Sequence, residues 1–283
     1  MNVRAIAVPY DSGHRNLRMG RGPEYLLRNG LADFLSATGY DVEVRVLESG
    51  SALSAEVAVA FELDRLVAGE IRDCRESGEF PLVLSGNCNN SVGTVAGIGD
   101  EDVGIVWFDG HADFNTPETT TTGFSDNMGL AIAVGHCWKS MAANVPHFSP
   151  VPEKNVVLVG ARDIEPEERK RLSDSEISVF EARESKSGAG MEKLKFALED
   201  LGSRTRKVYL HLDLDVLDPR SVGAANEFAP PDGLTVEEVE RAVRLMREYC
   251  EVAAVGIASY DPAFDHDGAV LRSGVRLVRN LLR

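Results

Sequence analysis

Eight short runs rich in β-branched residues recur along the 283-residue chain: VRAIAV (3–8), VEVRVL (42–47), PLVLSG (81–86), VGIVWFD (103–109), NVVLVG (155–160), ISVF (177–180), KVYLHLDLD (207–215) and VAAVGIA (252–258). Amphipathic stretches at 21–38, 54–77, 165–174, 190–201 and 235–250 separate most of them. The last opens with Thr235 ahead of Glu237 and Glu238, an N-terminal capping signature. Apolar strands alternating with helices predict an α/β fold in which a mostly parallel sheet is covered on both faces. Ligands in such folds sit beyond the carboxyl ends of the strands. No tract rich in Pro, Gly or Ser splits the chain, and ESKSGAG (184–190) reads as a surface loop, so residues 1–283 are expected to form one domain.

Composition narrows the function. A formal net charge of −15 argues against a nucleic-acid partner, because phosphate recognition needs clustered Lys and Arg. Cys74, Cys88, Cys137 and Cys250 are too widely spaced for a disulfide framework or a C-x-x-C zinc pattern, which fits a reducing cytoplasm. No apolar run reaches the roughly 18 residues that span a bilayer, and no export signal precedes Pro9. The expectation is a cytoplasmic enzyme with no membrane partner.

The fourth run continues as DGHADFNTPETTTTGFSDNMG, so Asp109, His111 and Asp113 follow an apolar strand at i, i+2 and i+4. In an extended chain that spacing places all three on one face. The seventh run gives Asp213 and Asp215 the same relation. Ordinary solvated turn residues are the bland reading. The sharper one is a metal site, because carboxylates gathered in a cleft raise one another's pKa unless a cation neutralises them. The third run ends in Ser85-Gly86-Asn87-Cys88, which delivers a cysteine where a buried strand opens onto the same end.

These blocks resemble the arginase/agmatinase ureohydrolase family, from RMGRGPEYLLR (18–28) through DGHAD, NTPETTTTG and DLDVLDP to SYDPAFD (259–265). The resemblance implies a three-layer fold with an eight-stranded, mostly parallel sheet. It also implies two manganese ions that activate a water against a guanidine carbon, with Asp109, His111, Asp113, Asp213 and Asp215 as ligands and Asp109 and Asp213 bridging. Asp113 would orient the attacking hydroxide. The family's sixth ligand is a histidine where this chain has Cys88, which makes Cys88 the remaining ligand or else a small buried hydrophobe; Asn89 is the alternative oxygen donor.

Further departures bear on the substrate. The family's proton-shuttling histidine falls on Asp126, and the carboxylate that grips the guanidinium falls on Ser259; Asp261 takes the place of a neighbouring asparagine. Losing that carboxylate removes a charge-assisted bond of roughly 1.5–3 kcal/mol, which disfavours strongly basic arginine. Asn115, Thr120 and Thr122 match positions that hold the amino-acid end, and Glu165 matches an acidic residue for the α-amino group, although the threonine run also reads as a plain loop. Within the family the pattern resembles the members that cleave Nω-hydroxy-L-arginine to hydroxyurea and L-ornithine in D-cycloserine biosynthesis. Hydrolysis of arginine, agmatine, guanidinobutyrate or formiminoglutamate, and a metal-binding pseudoenzyme, are the competing expectations. His14 reads as a cleft or surface loop residue, His136 as structural and His211 as a packed core residue. Cys74, Cys137 and Cys250 read as inert fillers, and the arginines of RSGVRLVRNLLR (272–283) as a solvated final helix. A monomer is expected.

Overall fold

The computed structural model describes residues 2–53, 55–99 and 102–282; Ser54 and Arg283, which fall in two of the expected helices, lie outside them. All eight apolar runs become strands: β1 (Asn2–Val8), β2 (Asp41–Val46), β3 (Phe80–Ser85), β4 (Val103–Phe108), β5 (Val156–Val159), β6 (Ser178–Phe180), β7 (Lys207–Asp213) and β8 (Glu251–Ala258). They form one sheet in the order β2-β1-β3-β8-β7-β4-β5-β6. Every neighbouring pair is parallel. After β3 the chain skips two positions to lay down β4, and β7 and β8 later fill the gap. That switch brings four carboxyl ends, of β3, β8, β7 and β4, side by side, where a parallel sheet opens its crevice.

Alternation along the strands divides the core. Val83, Ile105, Trp107 and Tyr209 face one helical layer. Leu82, Leu84, Val106, Phe108, Leu210 and Leu212 face the other. The first layer contains α1 (Glu56–Glu76) and α2 (Ser91–Ile98); α3 (Pro166–Ser173) follows β5, and the second layer contains α4 (Gly188–Arg204), α5 (Val236–Tyr249) and α6 (Ala269–Leu281). Thr235 and Glu238 form the expected capping box of α5. The segment 22–37 is interrupted where Gly30 takes φ +114°.

Two readings of the sequence are corrected. ESKSGAG is not a surface loop: residues Ala182–Ser185 are helical, Ser187 caps α4 by accepting from Gly190 N at 2.9 Å, and Gly190 packs directly on the Glu184 carbonyl. Gly190 thus serves close approach rather than freedom, whereas Gly188 faces open space. The final helix is also only half solvated, since Val270, Leu277, Val278 and Leu281 are buried and Arg276 pairs with Glu237 and Glu240 of α5.

The helix that carries Cys88 into place is α2, whose first turn follows a 3-10 turn at Cys88–Asn90. It lies so close to α1 that a Cβ on Gly93 would overlap the Asp64 main chain. At the crossing Gly93 N donates to the buried Asp64 Oδ1 at 2.9 Å. Burial pushes Asp64 from its ordinary 3.8 up to about 8, against the lowering effect of that hydrogen bond. Between those values the native state holds a proton that the unfolded chain has released, so this group makes stability fall as pH rises through the window. Asp64→Asn, neutral throughout, is expected to unfold at a higher temperature than the parent near pH 9 and to differ far less near pH 5. Thermal unfolding followed by circular dichroism at both pH values checks this; an equal difference at both counts against a protonated Asp64.

Candidate metal centre

The carboxyl ends of β3, β4, β7 and β8 deliver Cys88, Asp109 to Asp113, Asp213 with Asp215, and Ser259. Asp109, His111 and Asp113 do converge, but not through strand alternation. The strand stops at Phe108, and Asp113 takes a left-handed φ of +49°. Asp109, Asp213 and Asp215 are each oriented by a fixed donor. Asp109 Oδ2 accepts from Trp107 Nε1 at 2.8 Å and its Oδ1 from His111 N at 2.7 Å. Asp213 Oδ1 accepts from Asp215 N at 2.7 Å, and Asp215 Oδ1 from Gly110 N at 3.0 Å. His111 Nδ1 lies 3.3 Å from Asp215 Oδ2. Cys88 Sγ sits 3.1 Å from Asp213 Oδ2 and 3.4 Å from Ser259 Oγ.

The electrostatics of this cluster call for a cation. Burial, and then the neighbouring carboxylates, push Asp113, Asp126 and Asp213 well above the usual carboxylate range, and the same causes push the Cys88 thiol up. For His111 and Asp215 burial opposes the charged forms, yet mutual attraction prevails, raising the imidazole and lowering the carboxyl. Asp113 Oδ2 is buried with no hydrogen-bond donor. Such an orphaned oxygen costs about 1–3 kcal/mol unless a partner takes it. Donor atoms of Asp109, His111 and Asp215 lie within 4.8 Å of one another, as do those of Cys88, Asp113 and Asp126, and those of Cys88, Asp109 and His211. Carboxylates, one or two imidazoles and a thiol in this arrangement fit divalent ions.

Above the cluster opens a cavity of about 560 Å³ lined by Cys88, His111, Asp113, Asn115, Thr122, Asp126, Glu165, Asp213, Asp215 and Ser259 among others. Thr120 is turned into its own loop, where its hydroxyl accepts from Gly123 N at 3.1 Å. Thr121 ties this loop to Glu165 Oε1 at 3.0 Å. Asp126 accepts from Asn87 Nδ2 at 2.9 Å and, through its other oxygen, from the Cys88 main-chain N–H. Asn89 turns the other way and donates to Ser125 Oγ at 3.2 Å. Asp261 accepts from Ala263 N in its own turn. His14 is exposed on a two-strand hairpin, and His136 is held between Arg171 and Glu153, away from the cavity. Cys74, Cys137 and Cys250 are buried free thiols.

Several residues of the site carry no sequence signal of their own. Arg162 donates to the carbonyls of Asp215 at 2.7 Å and Pro230 at 2.6 Å, bracing the Asp215 turn from behind. Glu168 caps α3 and accepts from Phe114 N at 2.8 Å, so the loop after Asp113 is pinned to that helix. Arg18, held by the buried Asp11 at 2.8 and 3.1 Å, lies over the Phe124 ring at the cavity wall. The capping box before α3, Glu165 with Glu168, was the one legible hint among these.

The sequence model of the Arginase family matches residues 1–283. The arginase of Bacillus subtilis (strain 168) is 28% identical, over 99% of this chain and 97% of that protein. The arginase of Staphylococcus aureus (strain MRSA252) is also 28% identical, over 98% of this chain and 95% of that protein. Among solved structures, arginase from Bacillus caldovelox superposes with a TM-score of 0.88 at 26% identity, over 99% of this chain and 97% of that one. Among the described residues no helix is long and apolar enough to cross a membrane. With the eight-stranded parallel sheet and the acid cluster at its switch point, these likenesses place the chain in the arginase family of metal-dependent ureohydrolases, whose chemistry runs on a binuclear metal site.

Proposed function

We propose that the chain hydrolyses the guanidino group of Nω-hydroxy-L-arginine, giving hydroxyurea and L-ornithine, with two manganese ions held by Cys88, Asp109, His111, Asp113, Asp213 and Asp215. The observation that carries the substrate is Ser259. Its hydroxyl stands 3.4 Å from Cys88 Sγ at the cavity floor, where the family resemblance places a guanidinium-binding carboxylate. At that position Ser259 offers a protonated guanidinium a hydroxyl in place of a carboxylate. N-hydroxylation withdraws electrons and lowers guanidine basicity, so a neutral group enters without that partner. The oxygen-rich donor set suits manganese, and the single thiol softens it.

In this reading Asp109 and Asp213 would each be shared by the two ions, as the family resemblance implies. When bound, the pair acidifies a water so that it attacks at neutral pH. Asp113, whose Oδ2 is buried without a partner, would accept a hydrogen bond from that water and orient it towards the guanidine carbon. Asp126 lines the cavity beside Cys88 and handles the proton that the departing ornithine amine needs. Asn115 and Thr122 hold the α-carboxylate, Thr120 shapes their loop, and Glu165 faces the α-amino group. Arg18 stands on the same wall, its charge shared with Asp11 and Glu227.

Manganese-loaded protein is expected to release hydroxyurea from hydroxyarginine at least tenfold faster, in kcat/KM, than urea from arginine or agmatine. Product quantification with the three substrates in one preparation checks this, and arginine preferred or equal removes the proposal. Chelation should abolish turnover and manganese restore it; activity that survives complete metal removal is incompatible with the mechanism.

Asp126→Asn is expected to lower kcat by about 10²–10⁴-fold, the usual worth of a positioned proton carrier, with KM changed little. Steady-state kinetics on hydroxyarginine separates the two constants. A rise in KM at constant kcat would assign Asp126 to binding alone.

A further inference from the structure

We propose that His211 is a positioning residue for Cys88, its Nε2–H donating to the sulfur and fixing the thiolate toward the metal pair. This rests on the reading of Cys88 as a ligand and extends it to the residue that holds the ligand. His211 is buried on β7, and both of its ring nitrogens are engaged: Nδ1 lies 2.8 Å from the Tyr209 hydroxyl and Nε2 lies 3.3 Å from Cys88 Sγ. A thiolate offers only lone pairs. The proton therefore belongs on Nε2, and Nδ1 accepts from the phenol.

The surroundings are shaped for this pose. His211 pairs in register with Trp107 of β4 on one side and with Gly256 of β8 on the other. The Trp107 ring stacks on the imidazole, 3.7 Å between centroids and 21° between planes. On the opposite side a Cβ at Gly256 would overlap the Tyr209 hydroxyl, so only glycine leaves the phenol room to reach Nδ1. Adjacent strands thus send one donor each to the acid cluster: Trp107 Nε1 to Asp109 and His211 Nε2 to Cys88. In the structure the Cys88 thiol donates to Asp213 Oδ2 at 3.1 Å; once the sulfur is a thiolate it faces a like charge at that distance, and the His211 N–H offsets part of the repulsion. An N–H on the sulfur also draws electron density from it and leaves the ions stronger Lewis acids, as outer-shell partners do in other metal sites.

Cobalt(II)-loaded protein tests the idea, because a cysteine thiolate on cobalt gives a near-ultraviolet charge-transfer band. His211→Leu is expected to shift that band and to weaken cobalt and manganese binding about 10–100-fold. His211→Gln, whose amide can still donate, should recover most of the affinity, and in a Cys88→Ala background His211→Leu should add no further loss. Should His211→Leu fail to fold, Tyr209→Phe carries the test, with a smaller shift in the same direction. A band and affinities within twofold of the parent in the folded variants overturn the positioning role while leaving Cys88 a ligand. No thiolate band in the parent protein overturns the ligand reading and this inference together.

Discussion

The repulsion among buried acids at one end of the sheet is the constraint on which the rest of the structure turns. Asp109, Asp113, Asp213 and Asp215 are all buried, with a thiol among them. Without counter-charge such a set either takes up protons or flies apart. The protein holds it together by main-chain and ring donors, from Gly110, His111, Trp107 and Asp215, each aimed at one carboxylate oxygen. These donors fix direction but supply no net charge. The counter-charge is what the fold leaves to the ions, and the unpartnered Asp113 Oδ2 is where that debt is most visible.

Rigidity is graded from the metal end outward. The Asp215 turn is clamped by Arg162, whose guanidinium is spent on carbonyls of Asp215, Leu217 and Pro230 rather than on a carboxylate. With its further bonds to the carbonyls of Gly160, Val216 and Pro231, the guanidinium ties the Asp215 turn by contacts that would be costly to leave unmade, so the metal floor is held with the fold itself. The threonine loop differs. Its bonds are mostly internal, Thr119 to Thr116 and Asn115, Thr120 to Gly123, and it is tied outward by Thr121 to Glu165 and Ser125 to Glu56. A few exposed ties make this loop the adjustable part of the cavity.

What could be read from the sequence follows the same gradient. Strand runs were legible because burial on both faces leaves apolar stretches, and the acid blocks because their residue types are rare behind such stretches. The loop 184–190 was misread because glycine and serine mark close packing and capping as readily as flexibility, and only the neighbouring Glu184 carbonyl decides which. Helix α2 left no amphipathic period, since all eight of its residues are buried. Arg162 and His211 act through partners 53 and 123 positions away, Asp215 and Cys88, and no local pattern encodes such a contact. His211 was read as a core residue, which its burial bears out, but its Nε2 faces the sulfur rather than only apolar neighbours.

The departures from the family pattern make sense as a relocation of charge. In the proposed reading a thiolate in place of a neutral imidazole adds a negative charge against the ions, while Asp126, raised by burial and neighbouring carboxylates, stands as a proton carrier where the resemblance places a histidine. Serine in place of the guanidinium-binding carboxylate removes one from the substrate floor. On that reading negative charge is moved from where it would attract a cationic substrate to where it would hold the metals. Ions more fully neutralised by their ligands acidify water less, which calls for an easier reaction. In the proposed reading a neutral N-hydroxyguanidine meets that demand, because it needs no carboxylate to hold it and its electron-withdrawing oxygen weakens the delocalisation that stabilises the guanidine. His211 acts against the same loss, because a hydrogen bond to the sulfur returns part of the electron demand that the thiolate would otherwise quench.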